Sequence, residues 1–184
     1  MIHFNQYDIK SAPEKSKQLL ILAKKKFGKI PNLQAVMAES SQLLDGYQLL
    51  YDLGSKTSFT PIEIQVIYLT ISYHNDCNYC IAAHSFQSEK RDKVPKHIVE
   101  SLRQGTSLLD NKLNGLSLFV KSMLEANGQI KNEDINAFIK IGYTKKQVLE
   151  IVLLLAVKVL SNYTNHIAKP ELDDVFASFK WYKL

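Results

Sequence analysis

TPIEIQVIYLTISYHNDCNYCIAAH, residues Thr60–His84, decides the fold. It opens as a helix start: Thr60 stands as N-cap, Pro61 is pre-set for the first turn, and Glu63 completes a capping box. Ile64, Val66, Ile67, Tyr68, Leu69 and Ile71 then follow with little polar interruption, which predicts a helix buried on most sides. His74-Asn75-Asp76 breaks it, and Asp76 is placed to cap a new helix that opens with Cys77 and runs through Ile81, Ala82, Ala83, His84 and Phe86. Both cysteines then sit in a first helical turn.

Outward from this segment the apolar residues keep recurring at spacings of three and four. Toward the N-terminus the pattern predicts a helix over 13–27, with Ser11 and Glu14 at capping-box spacing and Leu19, Leu20, Leu22, Ala23 and Phe27 on one face, ended by Gly28. A second helix is expected over 33–53. Toward the C-terminus helices are expected over 94–103, 108–126 and 132–141, with Asn132 as the cap of the last. Thr144 and Gln147 form another capping box, which leads into an apolar core helix over 148–160 that extends toward His166. Pro170 stops it, and a tail over 172–184 packs back on the body or on a neighbouring subunit. The expected fold class is therefore all-α, a single domain over 1–184 of seven to eight helices with CxxC at a helix N-terminus.

Composition excludes several classes. With 46% hydrophobic and 22% charged residues the chain is not a disordered one. The N-terminus shows no basic region followed by an apolar run, so no secretory signal is read and the expected location is cytoplasmic. The 148–160 run is interrupted by Glu150 and Lys158 and is too short to span a bilayer, so no membrane partner is expected. The net charge of +5 comes from lysines spread along the chain, with only Lys24-Lys25-Lys26 clustered, which argues against a nucleic-acid partner.

The two cysteines stand three residues apart, and a bridge closing so short a loop constrains little of the unfolded chain. Chemistry explains them better than stability does. On a helix Cys80 lies one turn past Cys77 and His84 four residues further, so the three fall within about 60° of one face. The free N–H groups at a helix N-terminus and a nearby imidazole both favour a thiolate. Such a thiolate can attack the O–O bond of a hydroperoxide to give a sulfenic acid, and the second cysteine can condense with it to a disulfide. His84 is the natural proton carrier. A competing zinc reading exists in His74-x2-Cys77-x2-Cys80-x3-His84, but helical residues at this spacing do not readily enclose a tetrahedral ion, so no metal is assigned. A thioredoxin-type site is disfavoured because no βαβ pattern accompanies the CxxC. His3 and His97 read as surface residues, and His166 as a helix-end or interface residue.

Thr60-Pro61-x-Glu63 followed by Asn75-x-Cys77-x-Tyr79-Cys80-x-x-Ala83-His84 resembles the core of the AhpD-like alkylhydroperoxidases, within the carboxymuconolactone decarboxylase superfamily. Ile30-Pro31-Asn32, Gly142-Tyr143-Thr144 and Asn162-Tyr163-Thr164-Asn165-His166 are similar to the peroxidase-related branch, so the resemblance spans about 30–173. The resemblance implies an all-α fold, homo-oligomers (trimers or hexamers), and reduction of peroxides without a cofactor, by a cysteine pair recycled by a thiol or dithiol reductant. It also implies that Cys80 is peroxidatic and that Cys77 is the proton donor and resolving thiol. Two positions depart from the family pattern. The relay glutamate, twelve residues before the first cysteine, is Gln65, an amide that hydrogen-bonds but does not accept a proton. The histidine that the best-known members carry between the cysteines is Tyr79. Glu63 is about 200° around the helix from Gln65 and reads as a capping residue.

The catalytic set is thus Cys77, Cys80, His84 and Gln65. Two rival readings remain beside the peroxidase: a general thiol–disulfide oxidoreductase, and a helical oligomer whose dithiol senses redox state without turnover. Muconolactone decarboxylation is the weakest, because that branch typically lacks the cysteine pair.

Overall fold

α4, over Pro61–His74, is the central element, and it forms where the sequence places it. Thr60 Oγ1 accepts the Glu63 N–H at 3.2 Å while Glu63 Oε2 accepts the Thr60 N–H at 2.8 Å, so the capping box is complete. α4 packs against α5 (Asn78–Lys90), α6 (Lys96–Gln104), α7 (Asn111–Glu125) and α9 (Lys145–Ala168), which buries it on nearly every side. The computed structural model describes residues 3–183; Met1, Ile2 and Leu184 lie outside it, and with them the ends of the expected 1–184 unit and of the tail.

Among the described residues there are nine α-helices, a 3-10 helix over Asp174–Phe179 and no strand. The helix count exceeds the expectation because the predicted 33–53 helix is two: α2 over Asn32–Met37 and α3 over Ser41–Gly54. Ser40 makes the break by adopting an extended conformation and accepting the Leu43 N–H on its side chain. Such a cap contributes about 1 kcal/mol, enough to divide an otherwise continuous apolar period. The first helix, α1 over Glu14–Phe27, lacks the expected box. Ser11 instead donates its backbone N–H and hydroxyl to Asp8, each at 2.7 Å, and Leu22 of the expected apolar face is exposed. α8 spans Asn132–Lys140, with Asn132 as its first residue and Lys131 in the cap position, without a side-chain cap.

α9 is longer than the apolar run that announced it. Its 24 residues make it, among the described helices, the one long and apolar enough by composition to cross a membrane, yet its inner face carries Gln147, Lys158, Ser161, Asn162 and Asn165 buried in the protein. It is the second core helix of a bundle. Two apolar clusters result: a large one around α4, α7 and the middle of α9, and a smaller one beneath α1, α2 and α3 that contains both cysteines. Each fully buried aliphatic or aromatic side chain in them contributes roughly 1.5–3 kcal/mol.

The C-terminal tail packs on the body. Arg103 Nη1 donates to the Phe179 carbonyl at 3.0 Å, Nη2 to that of Lys180 at 3.1 Å, and the Trp181 indole N–H to the Arg103 carbonyl at 2.8 Å. Trp181 also meets the Tyr73 ring, 5.8 Å between centroids. The 3-10 helix is thereby held against α5, with Phe176 over Tyr79 and Phe86.

Candidate active site

The α4–α5 connection sets the cysteines. Cys77 is the N-cap residue of α5, so it is not helical, and Cys80 is the third helical residue. Asp76 does not cap: it takes a left-handed conformation, φ 53°, that turns the chain out of α4. The tight turn is closed by the Cys77 N–H donating to the Ser72 carbonyl at 2.9 Å. Cys77 is fully buried and Cys80 is 2% exposed. Cys80 and His84, one turn apart, line one cavity of about 180 Å³ walled mainly by aromatic and apolar side chains, among them Phe27, Tyr47, Tyr51, Phe86 and Phe176.

α9 supplies groups to which the sequence reading gave no role at the sulfurs. Asn165 Nδ2 donates to Cys77 Sγ at 3.1 Å. Asn162 Oδ1 is held by Asn75 Nδ2 at 2.9 Å, which leaves its Nδ2 buried, without a formed hydrogen bond, beside Cys80. We read that donor as kept for a thiolate, a better acceptor than the thiol. Burial pushes the Cys80 thiol up, but the hydrogen bond from Cys77, the Lys158 charge and the Asn162 and Ser161 side chains outweigh it and draw it down to about 6. Cys77 moves the other way, pushed up by burial and by its neighbour's charge. One sulfur is therefore a thiolate at neutral pH and the other its proton-bearing partner.

His84, on the same cavity wall as Cys80, meets Gln65. His84 Nδ1 lies 3.0 Å from Gln65 Oε1, and Gln65 Nε2 donates to Asp92 Oδ2 at 2.6 Å. A carboxylate accepts only, so the Gln65 amide has one orientation, and its Oε1 accepts the hydrogen bond that His84 Nδ1–H donates. The imidazole is fixed as the Nδ1–H tautomer, with Nε2 as its free basic atom. Arg91 in turn donates to Asp92 at 2.8 Å and 3.0 Å. Burial, and then the Lys158 and Arg91 charges, hold His84 well below the usual histidine range, so it is neutral.

The remaining sequence candidates are committed to other contacts. Glu63 is committed to its cap and to Lys112, 3.3 Å away. Tyr79 donates its hydroxyl to Asp173 and accepts the Leu33 N–H at 3.3 Å; burial and Asp173 push it far above the usual phenol range. It anchors α2 and the tail. His74 is exposed, and among the described residues no three His, Cys, Asp or Glu side chains gather as a metal site needs, so the sequence's zinc alternative does not assemble. His3 and His97 are exposed, and His166 Nε2 lies 2.8 Å from the Asn75 carbonyl at the helix end. Sequence reasoning missed Asp92, Asn162, Asn165 and Lys158. For Lys158 a signal existed: a lysine inside an apolar run that is otherwise core.

No family model and no curated protein sequence matches the chain. Solved structures do. The alkylhydroperoxidase AhpD core of an uncharacterized peroxidase-related protein from Ralstonia eutropha JMP134 superposes with a TM-score of 0.83 at 18% identity, over 95% of this chain and 93% of that one. An uncharacterized peroxidase-related protein from Silicibacter sp. TM1040 gives 0.80 at 17% identity, over 97% and 95%. The debrominase Bmp8, in a complex with 2,3,4-tribromopyrrole, gives 0.69 at 16% identity, over 90% and 89%. These superpositions span nearly the whole helical chain and show its fold: the chain has the AhpD-like all-α fold.

Proposed function

We propose that the protein is an enzyme that reduces hydrogen peroxide or an organic hydroperoxide through Cys80 and Cys77. The observation that carries this reading is a single lowered thiol, Cys80, at the wall of a small apolar cavity with its proton-bearing partner one turn away. The Cys80 thiolate attacks the distal peroxide oxygen; the O–O bond breaks, the departing alkoxide or hydroxide takes the Cys77 proton and leaves as an alcohol or water, and Cys80 becomes a sulfenic acid. The Cys77 thiolate then attacks that sulfur, closing the disulfide, and the hydroxide released takes a proton from solvent. A thiol or dithiol reductant restores both thiols. His84 Nε2 supplies the base that moves protons at the sulfur, and Gln65 holds its tautomer. A cytoplasmic setting, where thiols are kept reduced, suits such a cycle.

The test is peroxide consumption with several dithiol donors. Cys80→Ser should abolish turnover, and Cys77→Ser should stop after one equivalent with a sulfenic acid trapped by dimedone. Turnover that survives Cys80→Ser rejects the reading.

The aromatic cavity wall supports a second reading, in which a halogenated ring replaces the peroxide, as the likeness to a debrominase suggests. Bromide release without peroxide consumption would select it. The 2% exposure of Cys80 disfavours protein disulfides as substrates. Assembly into a homo-oligomer, trimer or hexamer, belongs to the same proposal: Leu149, Val152, Val159, Tyr163 and Ile167 lie exposed along one side of α9.

A further inference from the structure

Ser161 and Asn162 lie three and four residues beyond Lys158, and Asn165 lies four and three beyond them, so the four form one buried polar stripe of α9, and it faces the two cysteines. Lys158 is 1% exposed. Its Nζ stands 5.5 Å from the centre of the Tyr68 ring and lines the cavity that Cys80 lines. No carboxylate of the described residues lies within 4.0 Å of it, whereas the cations of the ion pairs among those residues sit near the surface. A buried charge without a counter-charge is costly, and such groups are normally paired. The titratable groups around the sulfurs are Tyr47 and Tyr51 from α3, Tyr68 from α4, Tyr79 and His84 from α5, Arg91 at the end of α5, and Lys29 at the rim of the cavity. Tyr47, Tyr68, Tyr79 and the imidazole stay neutral in this setting. The group there whose surroundings favour a negative charge is the Cys80 sulfur.

We propose that Lys158 is the counter-ion of the Cys80 thiolate and that it makes Cys77–Cys80 an oxidising couple, because reduction creates the anion that the lysine requires and disulfide formation removes it. The inference rests on the dithiol reading above and concerns its poise. Reduction by glutathione breaks the S–S bond with two electrons; two glutathiones become glutathione disulfide, Cys77 gains one proton, and Cys80 leaves as the thiolate beside Lys158. One proton is taken up for two electrons.

The potential of the full chain is measured in glutathione redox buffers by trapping free thiols, with thiolate absorbance at 240 nm titrated in parallel. Lys158→Met should move the equilibrium toward the disulfide by about tenfold or more, about 30 mV more negative, and raise the pH at which the thiolate appears. Lys158→Arg, which keeps the charge, should stay near the wild type. A folded Lys158→Met protein with an unchanged potential overturns the proposal. The wild type alone also tests it: between pH 7 and 8 its potential should fall by about 30 mV per pH unit, the mark of one proton for two electrons, and a fall of about 59 mV overturns it. Buffers that never close the Cys77–Cys80 bond overturn the dithiol reading itself, whereas a bond that closes at a potential indifferent to Lys158 overturns the counter-ion role alone.

Discussion

Gln65 shows how one residue's chemistry depends on its neighbour. An amide at a relay position looks like a loss when read alone, yet it stands between His84 and the Asp92 carboxylate and fixes which imidazole nitrogen carries the proton. Restoring a glutamate should therefore harm the site. Gln65→Glu would set two carboxylates in contact, of which one must take a proton. We expect kcat/KM to fall by about tenfold, the scale of one charge-assisted hydrogen bond, and Gln65→Glu with Asp92→Asn to recover it, because donor and acceptor are then exchanged. Steady-state kinetics of the two variants checks this, and a gain in the single variant would refute it. Cys80 carries a pH signature as well. It is an acid whose folded value, about 6, lies below its unfolded one near 8.5, so its stabilising contribution is complete above pH 8.5 and is lost as pH falls toward 6. Urea midpoints of the reduced wild type and of Cys80→Ser should converge over that window as pH is lowered. A constant gap would show that no thiolate is stabilised. The two cysteines and His84 were legible in the sequence through their short-range spacing, and Gln65 only through the family resemblance. Asn162, Asn165 and Lys158 were not, since about 80 residues separate them from the sulfurs they face and nothing local to α9 shows which of its sides meets α5.

At the scale of elements, a capping box followed by an unbroken apolar run was the reliable signal, and single cap residues lost to local competitors. Thr60 and Thr144 start α4 and α9 as read, because a hydroxyl, a following Glu or Gln and an apolar run all favour the same register. Ser11 and Asp76 failed for one reason: each had a closer alternative, a turn around Asp8 for the first and a left-handed turn out of α4 for the second. Ser40 was overlooked because the apolar period on both sides of it is in phase. The end of α6 makes a sharper claim. Gly105 holds φ +67°, and a Cβ there would stand 2.3 Å from the Tyr73 ring. Gly105→Ala should cost about 2–4 kcal/mol in chemical denaturation, from the strained backbone together with displacement of Tyr73 from Trp181. A loss below about 0.5 kcal/mol would mean that the tail is not braced there.

For the whole molecule, the unsettled face is the outer side of α9. Apolar side chains at 149, 152, 159, 163 and 167 keep helical period on the side opposite the buried stripe, so the same helix serves the cysteines inward and presents an apolar strip outward. If that strip is the subunit contact, Val159→Glu should lower the mass found by sedimentation velocity while leaving helical circular dichroism intact. An unchanged mass would move the contact elsewhere. The wall of the cavity has a different consequence, one of timing. Val175 and Phe176 close the pocket from the tail, and the tail is tied down by Arg103 and Trp181. During synthesis both cysteines leave the ribosome long before those residues exist. The α9 groups that draw Cys80 down are equally late, so the thiol gains its reactivity and its shelter together, when α9 and the tail dock.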